Sequence, residues 1–440
     1  MVSESACKVF MLFLVWCSMG LYQEIPGPTM IDIKLIFNAT YEEVSRSVSG
    51  RGAGGFCGAL IGGFLVDRFS HSSDLIIAVS ETIAALAIMF VPYSHSANTI
   101  WFHYFFTGIC GVTINIAGVR SAINLFPEKT AVCLQLLHVG YGVGALLVPV
   151  FVNPFLAVVK ILKIKSGNHD TESEVIQVVR ETHVHSAFVG IGIGTLLLST
   201  VFYRYHCNKC TSKGYKQVVT EDKEIEEVNA LPKEEVHKSE KSSYRICILI
   251  VIFIYYFIMV GGEEVFGQFV RTFSLEVFNF TKTKASFLNM TFWLGLTIGR
   301  LFGSLMANFI HIRRLFLIQV VSHAFSTTLL YLYASRSSAM LWFCTVTEGF
   351  LISPLYPGGI AYGNTLIELS GFCLMVIQLA GSLGDLSFIW IAGKMYDTYG
   401  PKSLLYGLQV IGIILVICVI LFRVMERFKK EKKVDILVKT

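Results

Sequence analysis

Gly54-Gly55-Phe56-Cys57-Gly58-Ala59-Leu60-Ile61-Gly62-Gly63-Phe64-Leu65-Val66-Asp67-Arg68 is the stretch on which the fold turns. Gly54, Gly58 and Gly62 stand four apart, so they share one helix face and let a neighbouring helix approach closely. The spacing returns at Gly295, Gly299 and Gly303, displaced each time by 241 residues (295 − 54). Two helices with the same small-residue face in corresponding places predict a chain of two duplicated halves.

The surrounding composition fits helices in a bilayer. The 440 residues are 54% hydrophobic and only 15% charged, where soluble domains carry about 25% charged residues. Mean hydropathy is +0.62. A membrane helix needs about 20 mostly apolar residues. Twelve such segments can be read: Val9–Pro26, Val44–Val66, Leu75–Pro92, Ile100–Leu125, Ala131–Phe155, His185–Tyr203, Ile246–Phe269, Ala285–Ile310, Leu315–Ala334, Met340–Thr365, Gly371–Ile391 and Leu404–Phe422. The expectation is an all-α membrane protein with twelve transmembrane helices in two six-helix bundles. A soluble enzyme, a disordered chain and a disulfide scaffold are excluded. The apolar runs are continuous rather than alternating, which argues against a β-barrel.

The polar, Lys- and Glu-rich stretch from Cys207 to Ser243 divides the segments six and six. It predicts an N-terminal bundle over 1–206, a cytoplasmic linker over 207–243, a C-terminal bundle over 244–425 and a basic cytoplasmic tail over 426–440. Lys8 precedes the first segment, which reads as a retained helix rather than a cleaved signal. Loop Lys and Arg residues favour two cytoplasmic termini. Sequons at Asn38-Ala39-Thr40 and Asn279-Phe280-Thr281 then fall in external loops as glycosylation sites, favouring the plasma membrane over an organelle. The net charge of +5 is spread over loops and does not suggest a nucleic-acid partner. His206, Cys207 and Cys210 lack the second ligand pair of a zinc site. Gly190, Gly192 and Gly194 lie inside a span, so they do not form a dinucleotide loop, and no catalytic constellation appears.

Gly63, followed by three residues and Asp67-Arg68, resembles the loop motif of the major facilitator superfamily and implies a gating loop at Gly63, Asp67 and Arg68. The basic residues that usually follow are replaced by Ser70, His71, Ser72 and Ser73, which weakens the implied charge latch. Gly27-Pro28-Thr29-Met30-Ile31-Asp32, Gln135-Leu136-Leu137-His138, Val260-Gly261-Gly262-Glu263 and Gly381-Ser382-Leu383-Gly384-Asp385 resemble the sodium-dependent glucose transporter branch, the "domain-containing protein 4" type. The fourth span departs from that branch, with Asn115 and Val119 where an acid and an amide are usual. The resemblance implies a secondary transporter working by alternating access on a small polar solute. A monosaccharide such as glucose, moved with sodium, is the leading expectation, with no cofactor beyond that ion. Other partners would be the lipid bilayer alone, with the chain a monomer. Two alternatives stay open: a facilitator or proton-coupled carrier of another polar solute, and a transporter-like sensor or scaffold that does not transport.

Charges at bilayer depth cost about 2.5–3.5 kcal/mol each on insertion scales, so the few that remain point to function. The expected solute-binding residues are Asn115, Gln135, His138, Glu263, Glu348 and Asn364. The expected ion-coupling residues are Glu263, Asp385 and Arg300, with Arg300 paired to either Asp385 or Glu263. Adjacent helix residues point about 100° apart, so Glu263 is expected on the cavity and Glu264 against a neighbouring helix. Gln23 and Glu24 gain interest because first spans line the cavity by analogy. Arg51 is expected to snorkel to water, Glu81 to be structural, Trp293 to sit at the membrane interface, and Trp390 to offer a sugar-stacking ring.

Overall fold

The computed structural model describes residues 4–69, 72–125, 130–165, 172–213, 242–307, 309–367 and 371–439. Residues 214–241, most of the expected linker, lie outside the described residues. The N-terminal half holds α1 (Glu4–Glu24), α2 (Pro26–Phe37), α3 (Tyr41–Arg68), α4 (Ser73–Phe90), α5 (Ala97–Leu125), α6 (Thr130–Val152) and α7 (Val184–Lys213). The C-terminal half holds α8 (Ser242–Phe278), α9 (Lys282–Met306), α10 (Ile312–Tyr333), α11 (Ser338–Ile352), α12 (Leu355–Leu366), α13 (Gly371–Tyr399) and α14 (Lys402–Lys439). Because α1–α2 and α11–α12 each form one broken span, these helices make twelve spans.

The breaks have local causes. Pro26 and Pro28 lack an N–H, so the carbonyls four residues before them lose their helical donor. The second break falls where Pro354 follows Ser353, whose hydroxyl turns to the Leu296 carbonyl. Ten helical runs among the described residues are long and apolar enough to cross a membrane. The helices α3 and α9 fall outside that set because they carry the glycine rows, with Ser and Arg beside them.

Those rows pack as a repeat. Gly54, Gly58 and Gly62 rest on Phe105, Ile109 and Thr113 of α5 so closely that an added Cβ would strike them. Gly295, Gly299 and Gly303 rest in the same way on Val346, Phe350 and Pro354. The contacted residues are themselves displaced by 241 (346 − 105), so the duplication extends from sequence to the packed helix pair.

The two sequons obey the same displacement (279 − 38 = 241). Asn38 and Asn279 are both exposed and left-handed, with φ of 46° and 51°. Asparagine tolerates that conformation better than other residues with a Cβ. Thr40 and Thr281 then cap α3 and α9, accepting from the Glu43 and Lys284 amides. Each Asn-x-Thr therefore has a structural role as a helix entry.

Between α6 and α7, where the sequence suggests only an external loop, β1 (Val158–Lys165) pairs antiparallel with β2 (Glu172–Arg180). The β-branched residues Val158, Val159, Ile161, Val175, Ile176 and Val178 suit strands that are too short to span a bilayer. At its far end α14 runs on through the expected tail to Lys439.

The halves meet on one side. Thr40 and Asn279 mark that face, and the Asp397 carboxylate of α13 crosses the seam there to accept from the Tyr41 and Glu42 amides (3.2 and 2.6 Å). Deeper in, Gly52 and Gly55 of α3 lie on Leu386 and Ser382 of α13. Past Gly55 the α3 glycines meet α5 of their own half, and a Cβ on Gly63 would touch nothing within 4 Å. The pair α6 and α9 repeats this: Asn153 reaches Thr283, Gly142 meets Thr297, and His138 one turn further on is exposed. The seam is thus closed at the sequon face, while Gly63 on α3 and His138 on α6, both nearer residues 207–213, are not packed in this way.

Candidate functional site

The largest charge cluster among the described residues lies on the closed part of this seam. Arg51 sits ten residues into α3 and is only 4% exposed. Its Nε and Nη2 form a two-pronged pair with Asp385 on α13 (3.0 and 2.8 Å), and Nη2 also reaches Glu264 on α8 (2.6 Å). Its Nη1 donates to the Gln23 carbonyl and to Glu24 Oε1 (2.7 and 3.3 Å). The break after Glu24 explains part of this. It places a backbone carbonyl and a carboxylate where a guanidinium can reach both. Tyr141 of α6 donates to Glu24 Oε1, and Gln268 of α8 donates to Glu24 Oε2 at 2.9 Å. A cavity of about 120 Å³ opens beside the cluster, lined by Gln23, Arg51, Glu264, Tyr356, Ser382 and Asp385 among others.

A second pair lies within the C-terminal half. Arg300 of α9 meets Glu263 at 3.4 Å, which resolves the choice between Glu263 and Asp385 in favour of Glu263. Tyr356 and the exposed His138 lie within electrostatic reach of Arg300. A third pair joins α10 and α11. Glu348 Oε1 is 2.9 Å from His323 Nε2, and both residues are essentially unexposed.

Several expectations need correction. Arg51 does not snorkel to water, because three carboxylates from two halves hold it at depth. Glu264 is not turned away from the cavity; it lines it and binds Arg51. Glu348 faces His323 inside the C-terminal half instead of the Arg51 cluster, so α11 presents it to α10. Trp293 is 2% exposed and packs beside Gly267 and Phe292 inside the protein, so it presents no ring to a surrounding bilayer. Trp390 lies on the outside of the seam, where its Nε1 donates to Glu42.

The remaining expected residues are scattered. Asn115 is half-buried on α5, one turn past Gly111, which Gln23 crowds. Asn364 is exposed near the end of α12. Gln135 lies on α6, but its side chain is outside the described residues. Asp67 and Arg68 are exposed and make no ion pair among the described residues, with Arg68 lying over the Phe69 ring. Glu81 is fully buried and accepts from the Ser18 hydroxyl.

Sequence reasoning undervalued Arg51, Glu24 and Glu264. The available signal was the shortage of basic residues inside the apolar segments: the acids there need partners, and Arg51 in the second segment is one of few cations able to serve.

The family description Major Facilitator Superfamily matches residues 10–389. Among curated proteins, the chain is 20% identical over 398 residues to the sodium-dependent glucose transporter 1A of Mus musculus, covering 88% of this chain and 89% of that one. It is 22% identical over 404 residues to the sodium-dependent glucose transporter 1 of Homo sapiens, covering 88% and 73%. It is 22% identical over 445 residues to the major facilitator superfamily domain-containing protein 4A of Danio rerio, covering 90% and 84%. Among solved structures, the nucleoside transporter NupG superposes with a TM-score of 0.64 at 12% identity, covering 96% of this chain and 99% of that one. The xylose transporter XylE from E. coli, in a partially occluded inward open conformation, gives 0.63 at 11% identity, covering 93% and 95%. With the matched model spanning most of the chain and both halves folding as the repeat requires, the protein belongs to the major facilitator superfamily.

Proposed function

We propose that the chain is a secondary active transporter that moves a monosaccharide together with sodium by alternating access. The observation that carries this reading is the one-sided seam. The halves are locked at the sequon face by Asp397 and Arg51, while His138 of α6 is exposed toward the other face and Arg300 of α9 lies within its electrostatic reach. A carrier exposes its solute site to one side at a time, and rocking about a midplane site exchanges the sides. Around the opening, His138, Asn115 and Glu263 offer both donors and acceptors, which suits a polyol. The relatives' names, sodium-dependent glucose transporters, support the sugar and the ion. The sequons and loop charges support two cytoplasmic termini in the plasma membrane, so the open side is the cytoplasmic one.

Purified protein in liposomes tests the proposal. Labelled glucose is expected to enter several-fold faster under an inward sodium gradient than under an equal potassium gradient. Equal rates would remove sodium, and no sugar uptake by folded protein would remove the monosaccharide.

A further inference from the structure

We propose that Glu24, Glu264 and Asp385, gathered around Arg51, form a binding site for a monovalent cation, Na⁺ or H⁺, whose occupancy holds the sequon face closed. This deepens the carrier reading, on which it rests, by assigning the coupling site.

Three carboxylates surround one guanidinium, leaving two negative charges in excess. A guanidinium has five N–H donors, and Arg51 makes five hydrogen bonds, so it has none left to offer. Arg51 is the cation that acts on Glu24 and Glu264 among the described residues, and Arg300 is occupied by Glu263. The remaining titratable neighbours among the described residues are Glu263 on α8 and three phenols: Tyr104 on α5, Tyr141 on α6 and Tyr356 on α12. None of them supplies a positive charge. Uncompensated charge at this depth is strongly unfavourable, so the closed arrangement calls for added positive charge.

The surroundings suit a small hard cation. Gln268 is fully buried, places its amide against Glu24, and leaves Oε1 without a partner. The adjoining cavity of about 120 Å³ is bordered by carboxylate, hydroxyl and amide groups. That cavity is polar and roomy enough to admit water and a partly hydrated ion. The site also straddles the seam: Glu24 and Arg51 belong to one half, Glu264 and Asp385 to the other. Without the cation, the carboxylates repel across the seam and favour opening at the sequon face.

The test uses the full chain in lipid nanodiscs, with thermal unfolding followed in sodium chloride against choline chloride from about pH 6 to about pH 8. If Na⁺ is the occupant, it raises the melting temperature, and its apparent Kd rises about tenfold per pH unit lowered where it displaces one proton. If H⁺ is the occupant, Na⁺ has no effect and the melting temperature rises as pH falls. In either case Glu264→Gln and Asp385→Asn, read separately so that one folded variant suffices, are expected to weaken the response at least about tenfold in apparent affinity. A melting temperature blind to both Na⁺ and pH overturns the site, as does a full wild-type response in both variants. Sugar transport that persists alongside a flat cation response overturns the site and spares the carrier reading. A cation response without any transport supports the site and overturns the carrier.

Discussion

Arg51 is the residue on which the closed seam depends. Its partners lie 27, 213 and 334 positions away in the chain, so no local pattern could reveal them. Removing one member of a buried charge group strands the others, at a typical cost of about 3–5 kcal/mol. Arg51→Ala is therefore expected to lower stability by about that amount in thermal or denaturant unfolding. The sign of its pH dependence follows from the charges left behind. Three carboxylates without a cation repel when ionised, so the loss should shrink as pH falls and they take up protons. A loss that grows at low pH would contradict this account. Arg51→Lys keeps the charge but not the planar fork that grips both Asp385 oxygens, so it should recover only part of the loss.

At the scale of elements, the glycine rows join each half internally. Gly54 and Gly299 lie against the backbone carbonyls of Phe105 and Phe350, so a methyl group at either place has no room. Gly63, a turn or two along α3, has nothing within 4 Å of its Cβ position. Gly54→Ala and Gly299→Ala are expected to destabilise by about 1–3 kcal/mol through overpacking. Gly63→Ala should be neutral or stabilising by up to about 1 kcal/mol, from its better helix propensity. Melting curves of the three variants check this contrast directly. These rows were legible in the sequence because a packing face repeats every four residues and the duplication preserved it. The breaks at Pro26 and Pro354 were only half legible: the prolines were visible, but the consequence of the first, a carbonyl and a carboxylate presented to Arg51, needed the neighbouring helix in place. The Asn-x-Thr letters at Asn38 and Asn279 read as glycosylation sequons, and the same letters also encode a left-handed residue followed by a helix cap, which only the backbone reveals.

For the whole molecule, the twelve-span plan followed from hydropathy and the 241-residue displacement, both of which are additive along the chain. Pairing between helices is not additive. Glu348 shows this: depth and span number suggested the cavity, while the rotation of α11 gives it to His323. Glu263 and Glu264 show it again, since adjacent residues went to different cations in different halves. Of these pairs, Arg51 with Glu264 crosses between the halves, and with Asp385 it holds them together on one side. That arrangement is what a carrier needs and what a passive pore does not, because a pore has no reason to hold its halves together on one side only. Counterflow measures this difference most directly. Liposomes holding the purified protein are preloaded with unlabelled glucose and diluted into a trace of labelled glucose, with no ion gradient. Alternating access predicts that the label rises transiently above its external concentration and then decays. Label that merely equilibrates, or never enters although the protein is folded, would contradict the account.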